Sequence, residues 1–73
     1  MRNEELIYKL DNLMQEFDPN GYEEGAYDTN MIEYIAEAIE NDIESVKEYC
    51  RMVIDECENR CVVEKAKAIL IEL

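Results

Sequence analysis

An all-α fold, a compact bundle of three to four short helices, is what these 73 residues predict. Three observations predict it. Apolar residues recur at helical spacing along most of the chain. No segment sustains the alternation of a strand. Both glycines and the only proline fall within residues 17–28, "FDPNGYEEGAYD", which isolates one break from otherwise periodic sequence.

The first helix is expected over about 3–17. Leu6, Ile7, Leu10, Leu13, Met14 and Phe17 fall on one face. Asn3 is suited to cap it, and Glu4 and Glu5 suit the positive end of the helix dipole. Asp18-Pro19 stops it, because the residue before proline is pushed out of the helical region. Residues 18–28 are then expected to form a loop, with Asn20-Gly21 and Gly25 as breakers and Tyr22 and Tyr27 as anchors folded back on the core.

A second helix is expected over about 29–41. Asn30 and Glu33 have capping-box spacing. Met31, Ile32, Tyr34, Ile35, Ala38 and Ile39 are its apolar residues, and Asn41 tolerates the left-handed conformation of a helix end. A third helix is expected over about 43–58, starting after Asp42 or at a Ser45–Glu48 cap. Val46, Tyr49, Cys50, Val53, Ile54 and Cys57 mark its inner face. "ENRC", residues 58–61, reads as a break, and a fourth helix over about 62–71 buries Val63, Ala66, Ile69 and Leu70. Helices this short are marginal alone, so packing must hold them. A chain of this size is a single domain with a marginal core. With 48% apolar residues but one Phe and no Trp, aliphatic side chains carry the packing.

Charge narrows the function. Nineteen acidic residues stand against seven basic ones, a net charge of −12. Residues 1–44 carry 13 acids and 2 bases, residues 45–73 carry 6 and 5. Such a field repels nucleic acid and attracts basic surfaces. Glu33, Glu37, Glu40 and Glu44 recur every three or four residues as a stripe along the second helix and its exit. Together with Asp11, Asp18, Glu23, Glu24 and Asp28 they are expected to form one negative face. Like charges at this spacing cost a few tenths of a kcal/mol each, so a sequence that repeats them has a use for the field or needs it for solubility. The partner of such a face is a basic protein surface. A homodimer through Tyr34, Met52 and Ile71, which lie off the main stripes, is the alternative.

Other chemistries find little footing. An EF-hand loop begun at Asp18 has Asn20 at position 3 but Tyr22, Glu23, Ala26 and Thr29 at positions 5, 6, 9 and 12, so the required glycine and closing glutamate are missing. Cys50, Cys57 and Cys61 follow a C-x6-C-x3-C pattern without any histidine, which is poor for zinc. On one helix Cys50 and Cys57 would stand ~10 Å apart, beyond disulfide reach. Free thiols, with Cys61 the exposed one, are expected. Without histidine there is no usual general base or thiol activator, so no enzyme, no metal and no cofactor is expected. The start "MRNEELIYKL" is not a signal peptide, and no apolar run approaches the ~20 residues of a membrane span. A reduced cytoplasm and no membrane association are the expectation.

The segments "LDNLMQEFDPNGYEEGAYD", "NMIEYIAEAIENDIESVKEYCRMVIDE" and "EKAKAILIEL" together resemble an uncharacterised small helical domain of clostridial mobile elements. That domain occurs in the large polyvalent proteins of conjugative elements and in neighbouring short proteins. The shared pattern is an EFDPxxY turn at Glu16–Tyr22, an IAxxI helix at Ile35–Ile39, a VIDE-like helix at Val53–Glu56 and AxxxLxxL at Ala66–Leu73. Tyr49 stands where the pattern has tryptophan, and Asn41 where it has the turn glycine. The resemblance implies an accessory protein of a phage or conjugative transposon, working in a bacterial host cell and suspected of blunting host defences. It supplies no catalytic residues.

Overall fold

Capping side chains set where four of the five helices begin; Asp42, which precedes the other, makes no side-chain cap bond. In the computed structural model, which describes residues 3–73, five helices follow one another: α1 (Glu4–Phe17), α2 (Pro19–Asp28), α3 (Met31–Asn41), α4 (Ile43–Glu56) and α5 (Arg60–Glu72). Asn3 Oδ1 accepts from the Leu6 amide, Asp18 Oδ1 from Gly21, Asn30 Oδ1 from Glu33, and Asn59 Oδ1 from Cys61. Each bond satisfies an amide that the first turn leaves without an intrahelical partner.

Four helices enclose the core. α1 packs against α3 and α5, and α4 closes the ring by packing against the same two. α1 supplies Leu6, Ile7, Leu10 and Leu13; α4 supplies Val46, Cys50 and Val53. Ile35 and Ala36 come from α3, and Val62, Ala66 and Ile69 from α5. The radius of gyration is 11.5 Å, close to the ~11 Å of a compact chain this long.

The expected loop at 18–28 is instead α2, which brings the helices to five. Asp18-Pro19 does end α1, but it also begins α2. Asp18 caps, and proline fits the first helical position because its missing N–H has no partner there anyway. No described residue has positive φ, so neither Gly21 nor Gly25 works as a turn residue. α2 packs on α1 and buries no residue of its own.

Smaller boundaries moved too. α3 ends at Asn41 as expected, yet without a left-handed residue; the Asp42 amide donates to Ala38 O instead. α4 begins at Ile43, and Ser45 lies inside its first turn. The break is Cys57–Asn59 and not 58–61, because Asn59 caps α5 from Arg60 onward. Val62 is buried and Val63 only partly so.

Candidate functional site

The expected acids are exposed, but they divide among three helices. Asp18 caps α2, which also carries Glu23, Glu24 and Asp28. Glu33, Glu37 and Glu40 lie on α3 at offsets of four and three, so they share one stripe. Glu44 falls beyond the break at Asp42, in the first turn of α4, 3.7 Å from Lys47 Nζ. The stripe expected from Glu33 to Glu44 is therefore interrupted after Glu40.

Asp11 does not belong to the negative face. It is 8% exposed and accepts hydrogen bonds from Tyr22 Oη at 2.7 Å and Gln15 Nε2 at 2.9 Å. The bond to Asp11, ahead of burial, raises the Tyr22 phenol pKa, since losing its proton would set two anions side by side. Tyr22 thus anchors α2 as expected, whereas Tyr27 is 90% exposed and anchors nothing in the core.

The positive charge sits elsewhere. No Lys or Arg occurs between Lys9 and Lys47. Lys9 lies 3.0 Å from Glu72 and 3.5 Å from Glu5, Lys65 lies 2.6 Å from Glu16, and Arg51 pairs with Glu48. Lys9–Glu72 and Lys65–Glu16 tie α1 to α5, whereas the Glu5 and Glu48 pairs lie within α1 and α4. α2 and α3 together hold six exposed acids and no base of their own.

Beside α3 lies an apolar groove of about 270 Å³. Leu10 and Met14 of α1, Tyr34, Ile35 and Ala38 of α3, and Ser45, Val46 and Tyr49 of α4 line it. A second hollow of about 220 Å³ shares Tyr34 and Ala38 with it and adds Glu37, Asn41 and Asp42. Tyr34 is 58% exposed. Tyr49 is half-buried and meets the Phe17 ring edge-on, with centroids 6.2 Å apart at 88°. Burial, followed by the nearby Asp18 and Cys50, pushes the Tyr49 phenol pKa up to about 12. The groove was not foreseen. Three helices supply its lining, so no single segment of the sequence signals it.

Other features make no chemical site. A larger hollow of about 630 Å³, lined by Glu48, Arg51, Met52, Ile54, Asp55 and Glu56, is the outer surface of α4 alone. Among the described residues no cluster of three or more His, Cys, Asp or Glu side chains is placed to hold a metal ion. Cys50 is fully buried, and that burial pushes its thiol pKa up to about 11. Cys57 is partly buried and Cys61 exposed, all three as free thiols. No helix of the described residues is long and apolar enough to cross a membrane. No family model, curated protein or solved structure matches this chain.

Proposed function

We propose that this chain is a protein-binding module, not a catalyst, and that its acidic face binds a basic protein surface. One observation carries the reading: α2 and α3 expose Glu23, Glu24, Asp28, Glu33, Glu37 and Glu40 and contain no lysine or arginine. The ion pairs of Lys9, Lys47, Arg51 and Lys65 lie on α1, α4 and α5, so the two acidic helices supply no cation from within themselves. Asp18 and Glu44 extend the charge at the two flanks. A protein groove built for nucleic acid is the basic surface such a face suits best, because phosphate-binding grooves concentrate Lys and Arg. Inhibition of a host nucleic-acid-binding protein by charge mimicry is the resulting activity. The resemblance through Glu16–Tyr22 adds the mobile-element setting.

The test is a tagged pulldown from host lysate at low salt and at about 0.5 M salt, where screening acts within a few ångströms. A variant with Glu33, Glu37, Glu40 and Glu44 changed to Gln is run beside it. A basic protein recovered by the native chain and lost under both changes supports the reading. Capture that survives high salt rejects charge mimicry.

A homodimer is the second reading, favoured by Tyr34 and Ile71, which are 58% and 85% exposed. Met52 is half-buried and offers less of a seam. Light scattering at the monomer mass across a wide concentration range counts against it.

A further inference from the structure

We propose that the groove between α1, α3 and α4 takes the apolar side of a basic amphipathic helix from the partner, whose flanking Lys or Arg meet Glu37 and Asp42. This rests on the acidic-surface reading and adds to it a site and a shape of ligand.

Size sets the first limit. At about 270 Å³ the groove falls just below the ~300–1,000 Å³ of small-molecule sites. It accepts one or two apolar side chains, not a cofactor. The lining sets the second. Apart from the tyrosine hydroxyls, Ser45 is the one polar side chain in it. A bound backbone gains few hydrogen bonds there and must satisfy its own, which a helix does. The described residues contain no strand, so no sheet edge offers pairing to an extended peptide.

Charge chooses the occupant. Glu37 and Asp42 line the hollow that continues the groove past Tyr34 and Ala38. Asp18 acts on Tyr49 at the other wall. A second copy of this chain would bring −12 against −12, so a cationic partner is the complement. Tyr34, half in the wall and half in water, is the residue type that anchors such contacts.

The experiment uses the full chain and two synthetic peptides of about 16 residues, long enough to be helical. Both carry the same lysines. One has Leu at i, i+3, i+4 and i+7, and in the other those positions are Ser. Calorimetry at low salt is expected to show the Leu peptide binding about tenfold tighter or more, the effect of burying a leucine or two. Its binding is expected to shift the ring resonances of Tyr34 and Tyr49. Ala38→Leu, which fills the groove, and Tyr34→Ala, which removes its exposed wall, are each expected to abolish that gap while leaving the Ser peptide's affinity unchanged. Circular dichroism reports whether each variant keeps its helices, and the half-exposed Tyr34 carries the test if Ala38→Leu unfolds. Equal affinity of both peptides for the native chain overturns the groove and leaves the acidic-surface reading standing. No binding of either peptide at low salt overturns both. Self-association that Tyr34→Ala removes assigns the groove to a second copy and overturns the proposal as well.

Discussion

The Tyr22 hydroxyl donates a 2.7 Å hydrogen bond to Asp11 Oδ1, joining the one buried charge among the described residues to a helix that buries nothing. α2 has no apolar side chain in the core, so this bond carries much of its attachment to α1. Hydrogen bonds to charged groups contribute about 1.5–3 kcal/mol, less where water reaches them. Tyr22→Phe is expected to cost about 1–2 kcal/mol locally. Amide exchange at residues 23–28 then rises about tenfold, while Val53 in the core keeps its protection. Unchanged exchange in α2 would show that the bond does not hold it.

The two glycines of α2 have opposite expectations. A Cβ on Gly21 would collide with Asp18 Oδ2, whereas one on Gly25 meets only Met31 Sδ at 3.7 Å. Alanine improves helix propensity by roughly 0.8–1 kcal/mol at either position. At Gly21 the capping carboxylate must rotate away, and losing a cap costs about 1 kcal/mol. Gly21→Ala is therefore expected to be neutral or destabilising and Gly25→Ala stabilising by about 0.5–1 kcal/mol. Since α2 is peripheral, the exchange rates of its amides report this more directly than global melting. A gain at Gly21 equal to that at Gly25 would mean that Asp18 does not cap in solution.

Periodicity found the helices that bury a stripe and was blind to the one that does not. α1, α3, α4 and α5 all show apolar residues at helical spacing because each faces the core. "PNGYEEGAYD" has no such stripe, and its Gly and Pro read as punctuation. The start signal was present in Asp18-Pro19, a capping residue followed by proline at N1, but the pair was legible only as a stop. Asn59 is likewise a cap inside a stretch whose sequence reads as a break. The exposed acids were legible one by one, since glutamates on the polar side of an amphipathic helix stay in water. Asp11 was not, because the partner that lets it be buried is Tyr22, eleven residues away across a helix boundary. The groove was out of reach for the same reason: three helices build it, and no local pattern encodes their junction.

Cys50 gives the fold an alkaline limit. Its thiol is buried in the native state with its pKa raised from 9.0 to about 11. The unfolded chain therefore loses that proton first as pH rises. The stabilisation is complete below about pH 9 and falls away as pH climbs toward 11, by about 1 kcal/mol at pH 10. Tyr49, raised from 10.0 to about 12, adds a smaller loss over a window about one unit higher, because it is only half-buried. Urea unfolding at a series of pH values checks this. Cys50→Ala starts less stable, from the lost packing, but is expected to show a shallower decline between pH 9 and 11. A parallel decline in both proteins would remove Cys50 as the cause.

Glu37 and Glu40 oppose the helix that carries them. Glu37 follows Glu33 by four residues and precedes Glu40 by three, so like charges face each other along the stripe. Glu40 also lies in the last turn of α3, where the dipole favours cations and the sequence supplies none. Each effect costs a few tenths of a kcal/mol. The double variant Glu37→Gln, Glu40→Gln is expected to be more stable than the native chain by about 0.5–1 kcal/mol at low salt. Screening at about 1 M salt shortens the reach of these charges to ~3 Å, so the advantage should largely vanish there. Glu33 and Glu44 are left in place because each sits in a first turn, where an acid is favourable. Chemical denaturation with urea, which adds no ions, measures the difference at both salt concentrations. If the variant gains stability but loses the salt-sensitive partner, the two acids are kept for binding at the expense of α3. If it gains stability and still binds, the charge on this part of α3 is not what the partner reads.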